Sequence, residues 1–284
     1  MEIEIEKLVN HIYSGGSLLL VDVLIFFIAN VIYSKKVGYD VKDEIVKKDN
    51  LAVAISLTGY LLAISIIFIG CVLGPSKGVL QDLIVVVKYS SLGIVLLYVA
   101  HLVNDKLILH QFKNIKELVE DKNVGTGAVQ AGSYIASGLI IAGSIHGEGG
   151  GLVTATVFFA LGQVALVIFS KIYDGITSFK VHDEIEQDNY AAGIAFAGTL
   201  VALGIILSKA AGGDFISWEH NTLSFGINAL IAFILLPIFR VVIDKIVITN
   251  DDLNKEIAVD KNIGAGFLEF GATVGFAAVL FFVI

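Results

Sequence analysis

Charge is what this chain has least of. Only 16% of its 284 residues are Asp, Glu, Lys or Arg, while 56% are hydrophobic. A soluble globular domain carries about 25% charged residues. With a mean hydropathy of +0.84, this shortage argues against a soluble enzyme. The net charge is −8, and neither a basic stripe nor a zinc-ligand spacing is present, so nucleic acid is not an expected partner. Cysteine occurs once, at Cys71, which excludes an intrachain disulfide; in its apolar run a lone thiol packs as a small hydrophobe. The opening MEIEIEK is acidic and lacks the basic stretch of a cleaved signal peptide, so the first apolar run is expected to stay in the mature protein. Walker loop, HExxH, GxSxG with triad partners, and haem or iron–sulfur spacings are all missing. His146 and Glu148, in SIHGEGGGL, make a poor metal site and read as part of a glycine-rich turn. The expectation is no enzyme, no cofactor and no metal.

What is present is a series of eight apolar runs. They cover Leu18 to Tyr33, Leu51 to Gly70, Leu83 to Val103, Val124 to Ile145, Leu152 to Ser170, Tyr190 to Ser208, Leu223 to Ile243 and Ile263 to Ile284. Most approach the roughly 20 residues an α-helix needs to cross a bilayer, and they are too long and continuous for barrel strands. Lysines concentrate in alternate connections, for example Lys35, Lys36, Lys42, Lys47 and Lys48 after the first run and Lys245, Lys255 and Lys261 after the seventh. The positive-inside rule places those connections in the cytoplasm and both termini outside. The fold class read from this pattern is an all-α polytopic membrane protein with eight transmembrane helices, in contact with the lipid bilayer. Its organisation is an extracytoplasmic segment 1–16 and two four-span repeats, 17–145 and 152–284.

The repeat is explicit. Four spans begin at an asparagine just inside the cytoplasmic edge: Asn50, Asn123, Asn189 and Asn262. An aspartate precedes each by one or two residues: Asp49, Asp121, Asp188 and Asp260. Nine residues on stand Gly59, Gly132, Gly198 and Gly271; thirteen on stand Ala63, Ala136, Ala202 and Gly275. At about 100° per residue these small residues share one helix face, and such faces bring helices together in lipid. Aspartate and asparagine are both expected as helix caps; a cation or cytoplasmic partner at four acidic corners is the alternative. The halves are related by a shift of 139 residues, which carries Asp49 onto Asp188 and Asp121-Lys122-Asn123 onto Asp260-Lys261-Asn262. Each half reads as two related hairpins. An even number of spans per half makes the halves parallel, related by an axis along the membrane normal.

Few ionisable groups fall inside the spans, and each raises a functional question by default. Asp22 and Lys88 have similar expected depths, which suggests an ion pair, with snorkelling of Lys88 as the alternative. Arg240 and Glu269 correspond, by the same shift, to His101 and Gln130. A joint change from a charged to a neutral pair suggests contact. Two readings stay open: a buried pair that locks two helices, or a proton or ion relay through His101 and Glu269.

At these DN and DKN-x-G-x-G motifs, Asp49-Asn50 with Gly59, Asp121-Lys122-Asn123 with Gly125 and Gly132, and their second-half counterparts, the chain resembles the YjfL-like bacterial inner-membrane proteins, classed as domain of unknown function 350. The resemblance spans nearly the whole chain as two tandem copies. It implies location in the inner membrane and hints at envelope-stress or polyamine-related roles, and it brings no catalytic residues. Two functions follow as expectations: a structural or regulatory protein of envelope homeostasis, as a homo-oligomer or with a cytoplasmic stress-response or membrane-associated partner, and an ion or small-solute channel or transporter.

Overall fold

The computed structural model describes residues 2–74, 76–249 and 251–284, and their side chains from residue 12 on. Among the described residues the chain is helical throughout, without strands. Helix α1 (Glu2–Lys36) is followed by the short α2 (Val41–Val46) and by α3 (Leu51–Val72). The next hairpin is α4 (Val79–Val103), extended by a π-helical turn at Asn104–Ile108, then α5 (Asn114–Val119) and α6 (Val124–Ile145). The second half repeats this order with α7 (Leu152–Ile176), α8 (Val181–Glu186), α9 (Tyr190–Ala211), α10 (Trp218–Ile246), α11 (Leu253–Ala258) and α12 (Ile263–Val283). Eight of these helices are long and apolar enough to span a bilayer. Aliphatic and aromatic side chains stand exposed along them, Leu20 at 75% and Phe282 at 85%. Such surfaces belong in hydrocarbon, so the protein is an integral, multi-pass membrane protein.

The sequence boundary at residue 17 does not interrupt α1. Residues 2–13 hold no proline, and glutamate, lysine and leucine among them are good helix formers. The helix therefore propagates through the segment expected to stand apart.

The spans form two rows. The inner row is α3, α6, α9 and α12, each packed against the next. In the outer row, α4 lies over α3 and α6, α7 over α6 and α9, and α10 over α9 and α12, while α1 rests on α3 and α4. Contacts therefore run mainly between neighbouring units, as in a solenoid. The inner row is held at backbone distance. A methyl group added at Gly59 would lie 2.3 Å from the Ala131 Cα, and one at Gly132 2.7 Å from the Ala197 carbonyl oxygen. Without a hydrophobic effect in lipid, close backbone packing of this kind drives helix association. The rest of the core is dominated by two large apolar clusters, one centred on each half and each drawing residues from the other. Phe158, Leu166, Phe169 and Phe196 sit in the second; Ile64, Ile67, Leu97 and Tyr60 sit in the first.

Candidate functional site

Two polar assemblies stand out, the corners where the short helices meet the inner row and a pair of buried clusters just below them. At each corner an asparagine caps an inner helix. Its Oδ1 accepts a backbone N–H three residues on: Val53 for Asn50, Thr126 for Asn123, Ala192 for Asn189 and Ala265 for Asn262. Its Nδ2 donates to a glutamate of the preceding short helix: Glu44 at 3.0 Å, Glu117 at 2.9 Å, Glu184 at 2.8 Å and Glu256 at 2.7 Å. The second Nδ2 hydrogen reaches into the next unit, to the carbonyl oxygens of Leu118, Ile185 and Ile257 from Asn50, Asn123 and Asn189 respectively. These three caps are buried. The residue before each cap is left-handed: Asp49, Lys122, Asp188 and Lys261 have φ of 49°, 54°, 58° and 47°. A non-glycine residue pays roughly 1–2 kcal/mol for that conformation. It turns the asparagine N–H back onto the carbonyl of the same glutamate in all four copies.

The aspartates do not cap. Asp49 and Asp188 occupy the left-handed turn, Asp121 pairs with Lys116 at 2.6 Å, and Asp260 lies 3.6 Å from Lys255. The cap position falls one or two residues later, and its side chain must donate as well as accept, which a carboxylate cannot do. The corner glutamates differ in charge balance. Burial opposes the charge on Glu44, but Lys48 and Asn50 outweigh it and hold its carboxyl below the usual range. Burial lifts the Glu117 carboxyl above that range, with the Asn123 bond opposing only in part.

The buried clusters occupy corresponding places in the two halves. In the first, Gln130 on α6 accepts from Ser56 on α3 at 2.7 Å, and Ser56 bonds Tyr33 on α1 at 3.0 Å. Gln130 also donates to Asp105 in the π turn at 3.2 Å. The same carboxylate lies 3.4 Å from His101 Nε2 and accepts from Asn114 at 2.8 Å. His101 Nδ1 meets the Tyr134 hydroxyl at 3.0 Å. His101 and Gln130 are thus joined through Asp105. In the second cluster the link is direct. Arg240 Nε donates to Glu269 Oε1 at 2.8 Å, and Tyr173, the counterpart of Tyr33, donates to the same oxygen at 2.7 Å. Arg240 also lies over the Tyr173 ring, 5.8 Å from its centroid. Glu269 is fully buried and Arg240 nearly so, and Glu269 Oε2 and Arg240 Nη2 have no hydrogen-bond partner. Each cluster ties spans of its own half together.

The two-fold duplication of corners and clusters has a counterpart in known proteins. The family described as Domain of Unknown Function (DUF350) matches residues 7–145 and again 149–284. The chain belongs to this family. It is also similar to a UPF0719 transmembrane protein of Aquifex aeolicus (strain VF5), with 20% identity over 232 residues, 80% of this chain and 84% of that protein. No solved structure matches.

The two DUF350 copies treat the remaining sequence candidates unequally. Gly59, Gly132 and Gly198 lie against the backbone of the next inner helix, and Ala63 and Ala136 against Gly138 and Gly204. Ala202 is buried. Gly271 and Gly275, at the end of the second copy, have no atom within 4 Å of an added methyl. Asp22 and Lys88 do not pair. Lys88 is exposed, with Nζ 5.1 Å from the centre of the Tyr89 ring. It falls two residues from both Val86 and Ser90, which are buried, so it projects from the opposite face of α4. Similar depth did not imply a shared face. Among the described residues no cluster of three His, Cys, Asp or Glu side chains is placed to hold a metal. The partners that sequence reasoning missed are the corner glutamates, Tyr33 and Tyr173, and Ser56. The glutamates were recoverable, since each stands five or six residues before its asparagine.

Proposed function

We propose that this protein is a non-enzymatic scaffold of the bacterial inner membrane, structural or regulatory in envelope homeostasis, with its corner face in the cytoplasm and its termini outside. The observation that carries the reading is how the inner row is closed. Its helices meet at backbone distance, and both polar clusters bond within their own half. The groove that the four inner helices share, about 620 Å³, is lined by side chains such as Leu51, Ile55, Ala128, Ile194, Val201 and Phe267. An apolar groove opposes the passage of an ion, which needs polar groups to replace its water. The clustering of lysines at the corner end supports the orientation.

The second reading is transport, favoured by the buried Arg240–Glu269 pair with its two unpartnered atoms. Proteoliposomes separate the two. The scaffold reading expects ion flux equal to protein-free vesicles. Flux above that background, altered by Glu269→Gln or Asp22→Asn, would replace it with transport.

A further inference from the structure

The inner row is built from one interface used three times, and both halves of that interface stand open at its ends. The middle use, α6 against α9, joins the two DUF350 copies. On α6 it offers Gly125, Gly132 and Gly143; on α9 it offers Gly193, Ala197 and Ser208, with a methyl at Gly193 only 2.3 Å from the Gly125 Cα. The shift of 139 residues carries the α6 surface onto α12, as Gly264, Gly271 and Phe282, and the α9 surface back onto α3, as Ala54, Thr58 and Ile69. The α12 positions are exposed, as are Thr58 and Ile69, with Ala54 partly so.

The open surfaces complement one another from the caps to Gly275; beyond it Phe282 and Ile69 stand where Gly143 and Ser208 pack, so the backbones part there. At the register nearest the caps each internal junction pairs a small residue with a glycine: Ala52 with Gly127, Gly125 with Gly193, Ala191 with Gly266. The open pair is Gly264 and Ala54, again one glycine and one alanine. One helical stretch further, Gly204 packs on Ala136; the open pair there is Ser65 and Gly275, where the glycine has moved to the other partner. The polar groups are matched too. Asn123 donates across the middle junction to the Ile185 carbonyl. Its counterpart Asn262 reaches only its own Glu256 and is exposed, and the carbonyl of Ile45, counterpart of Ile185, receives no such bond. In the outer row, α4 meets α7 at the middle junction, and the open counterparts are α10 and α1. A flat glycine face leaves an acyl chain little to interlock with, whereas a second helix packs on it at short range.

We infer that a second copy of this chain docks α3 and α1 onto α12 and α10, reproducing between chains the junction that joins the two DUF350 copies within one. The contact is heterologous, so its two sides differ, and it either closes into a ring or continues along the membrane. The inference goes beyond the scaffold reading and holds whether or not the protein conducts.

Cysteine cross-linking tests it in a Cys71→Ser background. At the middle junction a Cβ on Gly132 lies 3.1 Å from the Ala197 Cβ, so the counterpart pair Gly271→Cys with Thr58→Cys falls within disulfide reach. The expected result is a ladder of covalent oligomers from the double variant, and none from either single variant. Cross-links from Gly271→Cys alone would mean a symmetric contact, and a double variant that closes only within one chain would mean the row seals itself; either overturns the inference. In parallel, Gly271→Leu with Gly275→Leu should keep the wild-type helical content, because within one chain both positions face open space. Its particle mass in nanodiscs should fall from two or more copies to one. A wild-type mass of one copy, or an unchanged mass in the variant, also overturns it.

Discussion

Asn123 is the position where the corner geometry can be tested hardest. Its side chain makes three bonds at once, to Thr126 N–H, Glu117 Oε2 and Ile185 O, and it is fully buried. Alanine there removes a cap worth about 1 kcal/mol. It also strands the Glu117 carboxylate, and a buried acceptor left without a donor costs roughly 1–3 kcal/mol; the Ile185 carbonyl loses its cross-unit donor but keeps the Asp188 N–H at 3.0 Å. The expected loss is about 2–4 kcal/mol, above that of a single surface cap. Asn262 supplies the control. It caps α12 and bonds Glu256 but is exposed and crosses to no further unit, so alanine there should cost about 1 kcal/mol. Asn123→Asp makes the test sharper. Aspartate keeps the capping acceptor, yet it loses both donated bonds and sets a carboxylate against Glu117, so it should be at least as damaging as alanine. That damage should ease as pH falls, because protonation of either carboxyl removes the repulsion. The assay is denaturant unfolding in micelles, read by helical ellipticity. Equal losses at Asn123 and Asn262, or an aspartate variant as stable as wild type at neutral pH, would refute the reasoning.

Three further outcomes follow from the same contacts. Arg240→Met should cost about 3–5 kcal/mol by leaving Glu269 buried and unpaired, and adding Glu269→Leu should recover most of it; a double variant no better folded than the single would remove the case for a locking pair. Gly132→Ala should lose about 1–3 kcal/mol through a clash with the α9 backbone, while Gly271→Ala, open within its own chain, should leave the unfolding of the dissociated single chain unchanged, as parallel thermal scans would record. Glu44→Gln and Glu117→Gln should respond oppositely to pH. The Glu44 carboxyl is held low, so its charge contributes stability that is present at neutral pH and lost as pH falls through its folded value. The Glu117 carboxyl is held high, so the wild type loses stability as pH rises through that value, and glutamine should relieve the loss. Melting temperatures across pH 4–8 would show the two difference curves sloping in opposite senses, and parallel curves would contradict the assignment.

Span number and repeat were legible in the sequence because lipid leaves a chain few options. Runs such as Leu51–Gly70 or Tyr190–Ser208 have no stable alternative to a crossing helix. The corners were half legible: asparagine and aspartate recur together, and both are good caps in isolation. Which of them caps depends on the glutamate behind it and on a carbonyl 62 to 68 residues ahead, a requirement that local propensity does not contain. Arg240 and Glu269 left a trace as a pair that changes jointly between the halves. Asp22 and Lys88 left a misleading one, since hydropathy supplies depth in the bilayer and nothing about the direction around the helix axis. The glycine rhythm was plain at all four places. That Gly271 and Gly275 face outward depends on their coming last in the row, and a repeat reads the same at its end as in its middle.

The cap that reaches forward into the next unit has a consequence for synthesis. When Asn50 enters the membrane, the Leu118 carbonyl it will bond has not yet been made, and the same holds for Asn123 and Ile185, and for Asn189 and Ile257. At a translation rate of roughly 5–20 residues per second, each donor waits several seconds for its acceptor to leave the ribosome. Each unit but the last is thus stitched down by the one that follows it, and the bundle is sewn in the order in which it is translated.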